Sequence, residues 1–446
     1  MLGKKFDSLT IWGLVLLGEL FWSPLLLTDL GASLSYLLTL VLLFEKSRSN
    51  FKLNVKLNLF SLPLVLYTTY QWNVWTAFYA FLVTPLFEYL LLPLTLVGVF
   101  VPLFSRDLAL VLQLFSDFFS FLAKIPGTVV FGKPPLWLVV FWLGALFYIQ
   151  ISRKKMRYYW LLAGTYLLCF LVIHFPLTDE VVYFDVGQGD CTLIDRLAKN
   201  EVVLIDTGGK VHFKQKDWQK KRHEVTSGET IVANYLLSKG IAQIDRLYLT
   251  HQDADHVGNF PSLSKVIKIK KIIVPAGMEK LPSFKRRLAH SANRQQDVLP
   301  VTDKNSFNDP DLKLLHPFRA GQGTNADSLV LWLAFGDMQC LFTGDLDRTN
   351  ELKVLAKYPN LHVDILKTGH HGSKTASDPT FVQKIKPQLA VISAGRNNRY
   401  GHPDPLTLKT LAHQKIPYLL TARDGMIKLK KEAGQVKVWY FKQISQ

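Results

Sequence analysis

The hexapeptide His251-Gln252-Asp253-Ala254-Asp255-His256 sets four imidazole or carboxylate donors in six positions, directly after the strand-like run 246–250. A loop leaving a strand end can turn alternate side chains toward one point. Donors at this spacing can therefore serve two adjacent divalent cations. The competing reading is an arbitrary acidic surface loop that happens to hold two histidines. Three further groups weigh against it: Thr343-Gly344-Asp345, His370-His371-Gly372-Ser373 and Gly401-His402-Pro403. Each stands where an apolar run gives way to a loop.

The surroundings read as an α/β domain. Short runs rich in Val, Ile and Leu predict strands at 181–186, 202–206, 246–250, 272–275, 329–335, 339–343, 363–367 and 389–393. Helical stretches fit at 228–239, 282–293, 349–358, 379–384 and 405–413, with Ser227 and Asp378 as N-caps. The turn Gly187-Gln188-Gly189 is no dinucleotide fingerprint, because the third glycine is missing. Asp190 beside it is a candidate to support a metal ligand from behind. Cys191 and Cys340 read as buried packing residues, with a bridge between them as the alternative, and Cys169 falls in an apolar helix.

The front of the chain is different. Through Thr178 it carries 13 Lys+Arg and 7 Asp+Glu; the remainder carries 39 and 28. Over all 446 residues the net charge is +17, hydrophobic residues make up 49% and aromatics 12%. That composition excludes a disordered or collagen-like chain, and three cysteines without a C-x-x-C exclude a disulfide scaffold. The basic excess favours a polyanion or an anionic membrane as partner. Apolar runs recur at 9–27, 30–44, 57–70, 74–93, 94–104, 108–122, 136–151 and 158–176. A spanning helix needs about 20 such residues. Several runs are shorter, and Pro63, Pro85, Pro93 and Pro102 interrupt the middle ones, so five to eight crossings are expected. Gln113 and Asp117 give 108–122 a polar stripe that suits an interfacial helix. Glu19 and Glu88 read either as carboxylates lining a pathway or as groups near span ends. The cations in Ser152-Arg153-Lys154-Lys155-Met156-Arg157, and Lys46, Arg48, Lys52 and Lys56, mark cytoplasmic loops. The last apolar helix then carries the C-terminal domain to the outer face.

On these residues a family resemblance rests. Residues 251–256 resemble the H-x-[HD]-x-D-H signature of metallo-β-lactamase-like hydrolases. Together with Asp185-Val186-Gly187-Gln188-Gly189-Asp190, Ile205-Asp206-Thr207-Gly208-Gly209, residues 325–329 and Asn398-Arg399-Tyr400-Gly401-His402-Pro403, they resemble ComEC-type DNA-internalisation proteins of natural competence. Asp29-Leu30-Gly31 with Leu34-Ser35 is similar to that family's competence domain, over roughly 9–176. Family members usually start with an OB-like domain and further helices, which do not precede Leu9 here. Asn259 stands where a second glycine commonly follows D-H-x-G. The resemblance implies a multi-pass α-helical membrane domain over 1–177, then an αββα metallo-β-lactamase-like sandwich over 178–446.

It also implies roles. His251 and Asp253 face one metal, and Asp255 and His256 the other. Asp345 bridges them, and His370 and His402 complete the two spheres. His371 either binds substrate phosphate or orients a ligand. Asp255, Asp345 and His371 form the catalytic set. Asp206 holds the loop without ligating, and His316 reads as structural. Asp253, where many relatives carry His, favours Mn²⁺, with Zn²⁺ as the alternative. Two such cations suit phosphodiester hydrolysis. Lys210, Lys214, Lys216, Lys220, Lys221 and Arg222, interleaved with Phe213 and Trp218, describe a single-stranded DNA contact or a solvated loop.

The expected function is DNA uptake at the cytoplasmic membrane: a channel component for one strand, with an extracytoplasmic metal-dependent nuclease. Expected partners are single-stranded DNA, lipid, other uptake machinery and a separate chain supplying the N-terminal part. A membrane-anchored phosphodiesterase of envelope polymers and a truncated remnant are the alternatives.

Overall fold

Leucine, phenylalanine and valine dominate residues 8–174, and the described part of that stretch is helical nearly throughout. The computed structural model describes residues 7–45, 49–101, 105–152, 156–209, 226–305, 307 and 309–440. Two units emerge, Met1–Phe175 with Leu237–Ile241, and Pro176–Leu236 with Ala242–Gln446.

In the first unit the helices are α1 (Ser8–Trp22), α2 (Leu30–Leu43), α3 (Asn50–Thr69), α4 (Thr76–Leu86), α5 (Leu92–Phe100), α6 (Ser105–Lys124), α7 (Leu136–Ser152) and α8 (Arg157–His174). Asp7, Asp29 and Ser49 cap the first three by accepting the backbone N–H of Thr10, Ala32 and Lys52. Pro63 lies inside α3 without ending it. After Pro85 the chain widens into a π turn, Phe87–Leu91, and continues into α5. Proline removes one ladder donor, and the wider turn follows that gap. Thr76–Gly98, within this run, is long and apolar enough to cross a membrane; α1, α2 and α7 are apolar but shorter. Among the described residues Thr76–Gly98 meets both the length and the apolarity of a span. α3 has 20 residues but opens with Lys52, Asn54, Lys56 and Asn58. Glu19 and Glu88 lie on helical segments of the first unit. Lys46, Arg48, Arg153, Lys154 and Lys155 fall outside the described residues. A short antiparallel pair, β1 (Gln71–Asn73) and β2 (Thr128–Val130), was not foreseen. The unit's core centres on Trp142, whose ring stacks on Tyr166 at 3.8 Å and whose Nε1–H donates to Thr165 Oγ1 at 2.9 Å.

The second unit is a two-sheet sandwich. Its strands are β3 (Glu180–Tyr183), β4 (Thr192–Arg196), β5 (Glu201–Ile205), β6 (Gln243–Tyr248), β7 (Lys268–Pro275), β8 (Val298–Val301), β9 (Leu312–His316), β10 (Val330–Phe335), β11 (Met338–Phe342), β12 (Ile365–Lys367), β13 (Leu389–Ile392), β14 (Tyr418–Leu420), β15 (Ile427–Glu432) and β16 (Gln435–Tyr440). One sheet runs β16-β15-β3-β4-β5-β6-β7-β8, and the other β14-β13-β12-β11-β10-β9. Pairing is antiparallel from β16 to β5 and parallel from β5 to β8; in the second sheet β9-β10-β11 is antiparallel and β11 to β14 parallel. Alternate residues of both sheets, among them Tyr183, Ile205, Tyr248, Leu333, Phe342 and Ile365, meet in one buried core. A second core lies under α13 (Arg348–Lys357), α14 (Pro379–Ile385) and α15 (Pro405–His413).

Parallel strands leave their carboxyl ends on one edge, where open α/β sheets gather ligands. The segments after β6, β11 and β12 carry the expected donor groups except His402, which follows β13. Asp378 caps α14 as expected, accepting N–H groups of Thr380 and Phe381. Ser227 makes no capping bond, and the chain there enters a π turn, Gly228–Ala233. Cys169, Cys191 and Cys340 are all buried and free, so the alternative of a Cys191–Cys340 bridge falls away.

At the opposite strand ends, Asp309 gathers cations from three places: Arg196 at 2.6 Å, Lys199 at 2.5 Å and Arg246 at 2.9 Å. Burial alone would raise its carboxyl, but the hydrogen bonds from Arg196, Lys199 and Arg246 outweigh that and hold it below the usual range. A depressed carboxyl stabilises the fold above the unfolded-state value and loses that contribution as pH falls through the folded value. Asp309→Asn should therefore cost on the order of 3 kcal/mol near neutrality, seen as a lower urea midpoint of the sandwich. The gap from wild type should close as pH drops below about 4; a pH-independent gap would contradict this account.

Candidate metal centre

Thr250 ends the run after β6 and places His251 at the sheet edge. Asp206, at the end of β5 with φ +57°, is fully buried beside it. Its Oδ1 accepts the Thr250 N–H at 2.7 Å, and its Oδ2 accepts the Thr250 hydroxyl at 2.7 Å. That hydroxyl has spent its proton, so its lone pair faces His251 Nδ1 at 3.0 Å as an acceptor. Asp206 Oδ2 also receives His256 Nδ1 at 2.7 Å. His371 Nδ1 points at the Ser393 carbonyl at 3.0 Å, and His370 Nδ1 lies 3.0 Å from Thr375 Oγ1. All four rings are thus anchored through Nδ1 and present Nε2.

Those Nε2 atoms converge on Asp345. Its carboxylate lies 3.2 Å from His256, 3.6 Å from His371, 3.7 Å from His370 and 3.8 Å from His251. His371 Nε2 is also 3.2 Å from Asp255 Oδ2, and His251 Nε2 is 3.7 Å from Asp253 Oδ2. One ligand atom from each of Asp190, His256, Asp345 and His371 lies within 4.8 Å of the others, and all four residues are buried. His251 Nε2, His256 Nε2 and Asp345 Oδ1 are buried without a hydrogen-bond partner among the described residues. Orphaned donors and acceptors of this kind are costly unless something satisfies them. An imidazole and carboxylate set of this composition fits divalent metal binding.

The electrostatics agree. Burial works against charge here; at His256 and His371 the carboxylates outweigh it, whereas at His370 burial prevails and lowers the ring below its ordinary value. Desolvation would lower His371, but Asp345 and Asp190 push it up to about 10. His256 is raised in the same way, against its burial, by Asp345 and Asp206. Burial would raise Asp255, but His371 and His256 hold it at about 2. Asp345 lies well below the usual range because His256 and His371 overcome its desolvation. The cluster demands positive charge at its centre, which protons or cations can supply.

Not every expected donor arrives. His402 makes no ion-pair contact with these carboxylates among the described residues. Its ring lies 5.8 Å from that of His370 and parallel to Tyr400, at the outer margin. Asn398 holds it there: its Nδ2 donates to His402 O at 2.6 Å and its Oδ1 accepts His402 N–H at 3.0 Å. His371 instead occupies the inner position beside Asp255. His370 and His371 both adopt left-handed backbone, at φ +48° and +55°. Asp253 is half exposed, with side-chain exposure of 51%. His316 is buried with Nδ1 2.8 Å from the Ser328 carbonyl, as a packing histidine should be. Lys210, Lys214, Lys216, Lys220, Lys221 and Arg222 lie outside the described residues.

One residue was missed. Lys367, at the end of β12, is 2% exposed, and its Nζ lies 2.7 Å from Asp190 Oδ2 and donates to Thr368 O at 2.9 Å. Asp190 Oδ1 is in turn 3.3 Å from His371 Nδ1. A lysine closing an apolar strand just before a His-His pair was the available signal.

Residues 184–396 match the family model of the metallo-beta-lactamase superfamily, and residues 1–156 that of the competence protein family. Among curated proteins, ComE operon protein 3 of Bacillus subtilis is 31% identical over 405 residues, 85% of this chain and 51% of that protein. Competence protein ComA of Neisseria gonorrhoeae is 29% identical, over 79% of this chain and 47% of that one. Recombination protein 2 of Haemophilus influenzae is 28% identical, over 60% and 31%. The chain spans about half the length of the first two relatives.

Two outcomes follow from the supporting groups. Asp206→Asn places an amide N–H against donors from Thr250 or His256, and should weaken Mn²⁺ or Zn²⁺ binding about 10- to 100-fold in competition with a chelating dye. Unchanged affinity would show that Asp206 does not orient the metal-facing rings. Lys367→Met removes the buried cation at Asp190 Oδ2 and leaves that carboxylate with the His371 ring as its ion-pair partner, and should cost about 3–5 kcal/mol. Adding Asp190→Asn should recover part of that loss, as a double-mutant cycle measures; a double variant no more stable than Lys367→Met would refute the pairing.

Proposed function

We propose that this chain, a competence-protein segment followed by a metallo-β-lactamase-superfamily domain, takes part in DNA internalisation during natural competence. In this reading residues 1–177 form a multi-pass membrane part that passes one strand across the cytoplasmic membrane. Residues 178–446 form a metal-dependent nuclease at the outer face. The observation that carries the nuclease is the convergence of four imidazole Nε2 atoms on Asp345, 3.2–3.8 Å away, with Asp253 and Asp255 at the rim. The competence names of the Bacillus and Neisseria relatives support the uptake role. The cations in the sequence after Gly208-Gly209, Lys210 to Arg222, support a contact with phosphates.

In the proposed mechanism His251 and Asp253 would hold one cation and Asp255, His256 and His371 a second, with Asp345 and His370 available to both. Bound divalent cations supply a water of lowered pKa and polarisation of a phosphoryl oxygen. Asp255, ionised at neutral pH, would accept a hydrogen bond from a water at the cations through its carboxylate. Asp345 stays ionised for the same electrostatic reason and balances the charge of the site. Asp206, Thr250 and Ser393 keep the rings from turning, so the ligand atoms need no reorganisation when substrate arrives. The carboxylate Asp253 favours Mn²⁺ over Zn²⁺.

The test uses the full chain in lipid nanodiscs with a labelled single strand. Mn²⁺ should support cleavage, a chelator should stop it, and Asp345→Asn should lower the rate by more than about a hundredfold. Absence of cleavage with both Mn²⁺ and Zn²⁺ would sink the nuclease. Transformation that survives deletion of the gene would sink the uptake role.

A further inference from the structure

The segment 395–403 at the margin of the metal centre carries aromatic groups that the hydrolytic machinery does not use. Tyr400 is 51% exposed, and its ring lies parallel to His402, at 14° with centroids 5.9 Å apart. His402 is one ring away from His370, whose Nε2 is 3.7 Å from Asp345. Arg399 lies over Tyr400, with its guanidinium carbon 4.9 Å from the ring centroid, and Nη2 donates to the phenol oxygen at 2.7 Å.

The arrangement is built into the loop. Asn398 bonds both the N–H and the carbonyl of His402 and also donates to Gly395 O at 2.9 Å. Gly401 has φ +68° with open space where a Cβ would sit, so backbone conformation and not crowding selects glycine there. That reversal is what lets residues 400 and 402 turn their rings to the same side. An exposed tyrosine held parallel to a second ring offers a flat, preorganised surface at little entropic cost.

We infer that Tyr400 and His402 form a stacking platform for a nucleobase of single-stranded DNA next to the phosphate held at the metal centre. This inference rests on the nuclease reading. Stacking by a base on this aromatic pair is strengthened by an arginine cation beside the ring. Stacking on an aromatic side chain is sequence-tolerant, which suits a domain that meets strands of any sequence.

The experiment measures Mn²⁺-dependent cleavage by the full chain in nanodiscs of two strands of equal length, oligo-dT and an abasic strand with the same phosphates. Wild type should cut oligo-dT with a KM about tenfold lower than the abasic strand. Tyr400→Ala should raise the KM for oligo-dT to near the abasic value and leave abasic cleavage unchanged. Tyr400→Trp should keep the preference, which separates stacking from a structural role. A Tyr400→Ala chain that still prefers oligo-dT overturns the platform alone. A wild-type chain that cuts neither strand overturns the nuclease reading and the platform with it.

Discussion

Two of the four rings at the candidate metal centre are set by a carboxylate that is not proposed to touch metal. Asp206 is fully buried and takes three protons' worth of hydrogen bonding from Thr250 and His256. Through Thr250 it also governs the tautomer of His251. An imidazole can present either nitrogen, and a ring free to choose would divide its population between useful and useless orientations. Fixing Nδ1 from behind removes that choice before any cation arrives. The left-handed backbone of Asp206 is part of the same device, because it turns the side chain back toward β6.

The sheets bring the remaining groups together. β5 and β6 are parallel neighbours in one sheet, and β11, β12 and β13 in the other. Their carboxyl ends face one edge, so loops far apart in sequence can meet there. Close approach then becomes the constraint. A Cβ on Gly189 would lie 2.1 Å from Asp255 O, and one on Gly209 2.3 Å from Ala254 O. Both glycines have positive φ, and both press their backbone onto the turn that carries Asp255 and His256. The Gly-rich pieces, which read only as tight turns in sequence, are the walls against which the ligand loop is set.

Much of this was legible beforehand, for identifiable reasons. The buried strands β5, β6, β7, β10, β11 and β13 announce themselves as short runs of β-branched and aliphatic residues. β4, with Asp195 and Arg196, and β15 and β16, with alternating lysines, dilute that signal and were not foreseen. All three lie on the antiparallel side of the sheet; in β15 and β16 polar residues alternate with apolar ones, whereas β4 is buried and its polar residues pair within the fold. The donor clusters were legible because several ligand types recur at strand ends. The placement of the His371 ring beside Asp255, with His402 at the margin, was not, since two adjacent histidines can face one point only if the backbone leaves the ordinary regions. The first unit was legible as apolar and helical, but helix lengths were not, because polar residues such as Lys52 and Lys56 extend helices beyond their apolar runs.

The His370–His371 pair is the clearest case of strain placed for chemistry. Two successive non-glycine residues in the left-handed region are uncommon, and each costs of order 1–3 kcal/mol unless the surroundings enforce it. Here they are enforced from several sides. His370 N–H donates to Gly344 O at 3.1 Å, Ser373 N–H to His370 O at 2.8 Å, and the His371 ring is held at Ser393. Gly372 follows with φ +79°, so three consecutive residues share the handedness. A right-handed turn would send the two side chains to different sides of the strand end. The left-handed one sets both Nε2 atoms within 3.6–3.7 Å of a single carboxylate. The strain is intelligible only if having both rings at Asp345 matters more to this protein than the stability lost in getting them there.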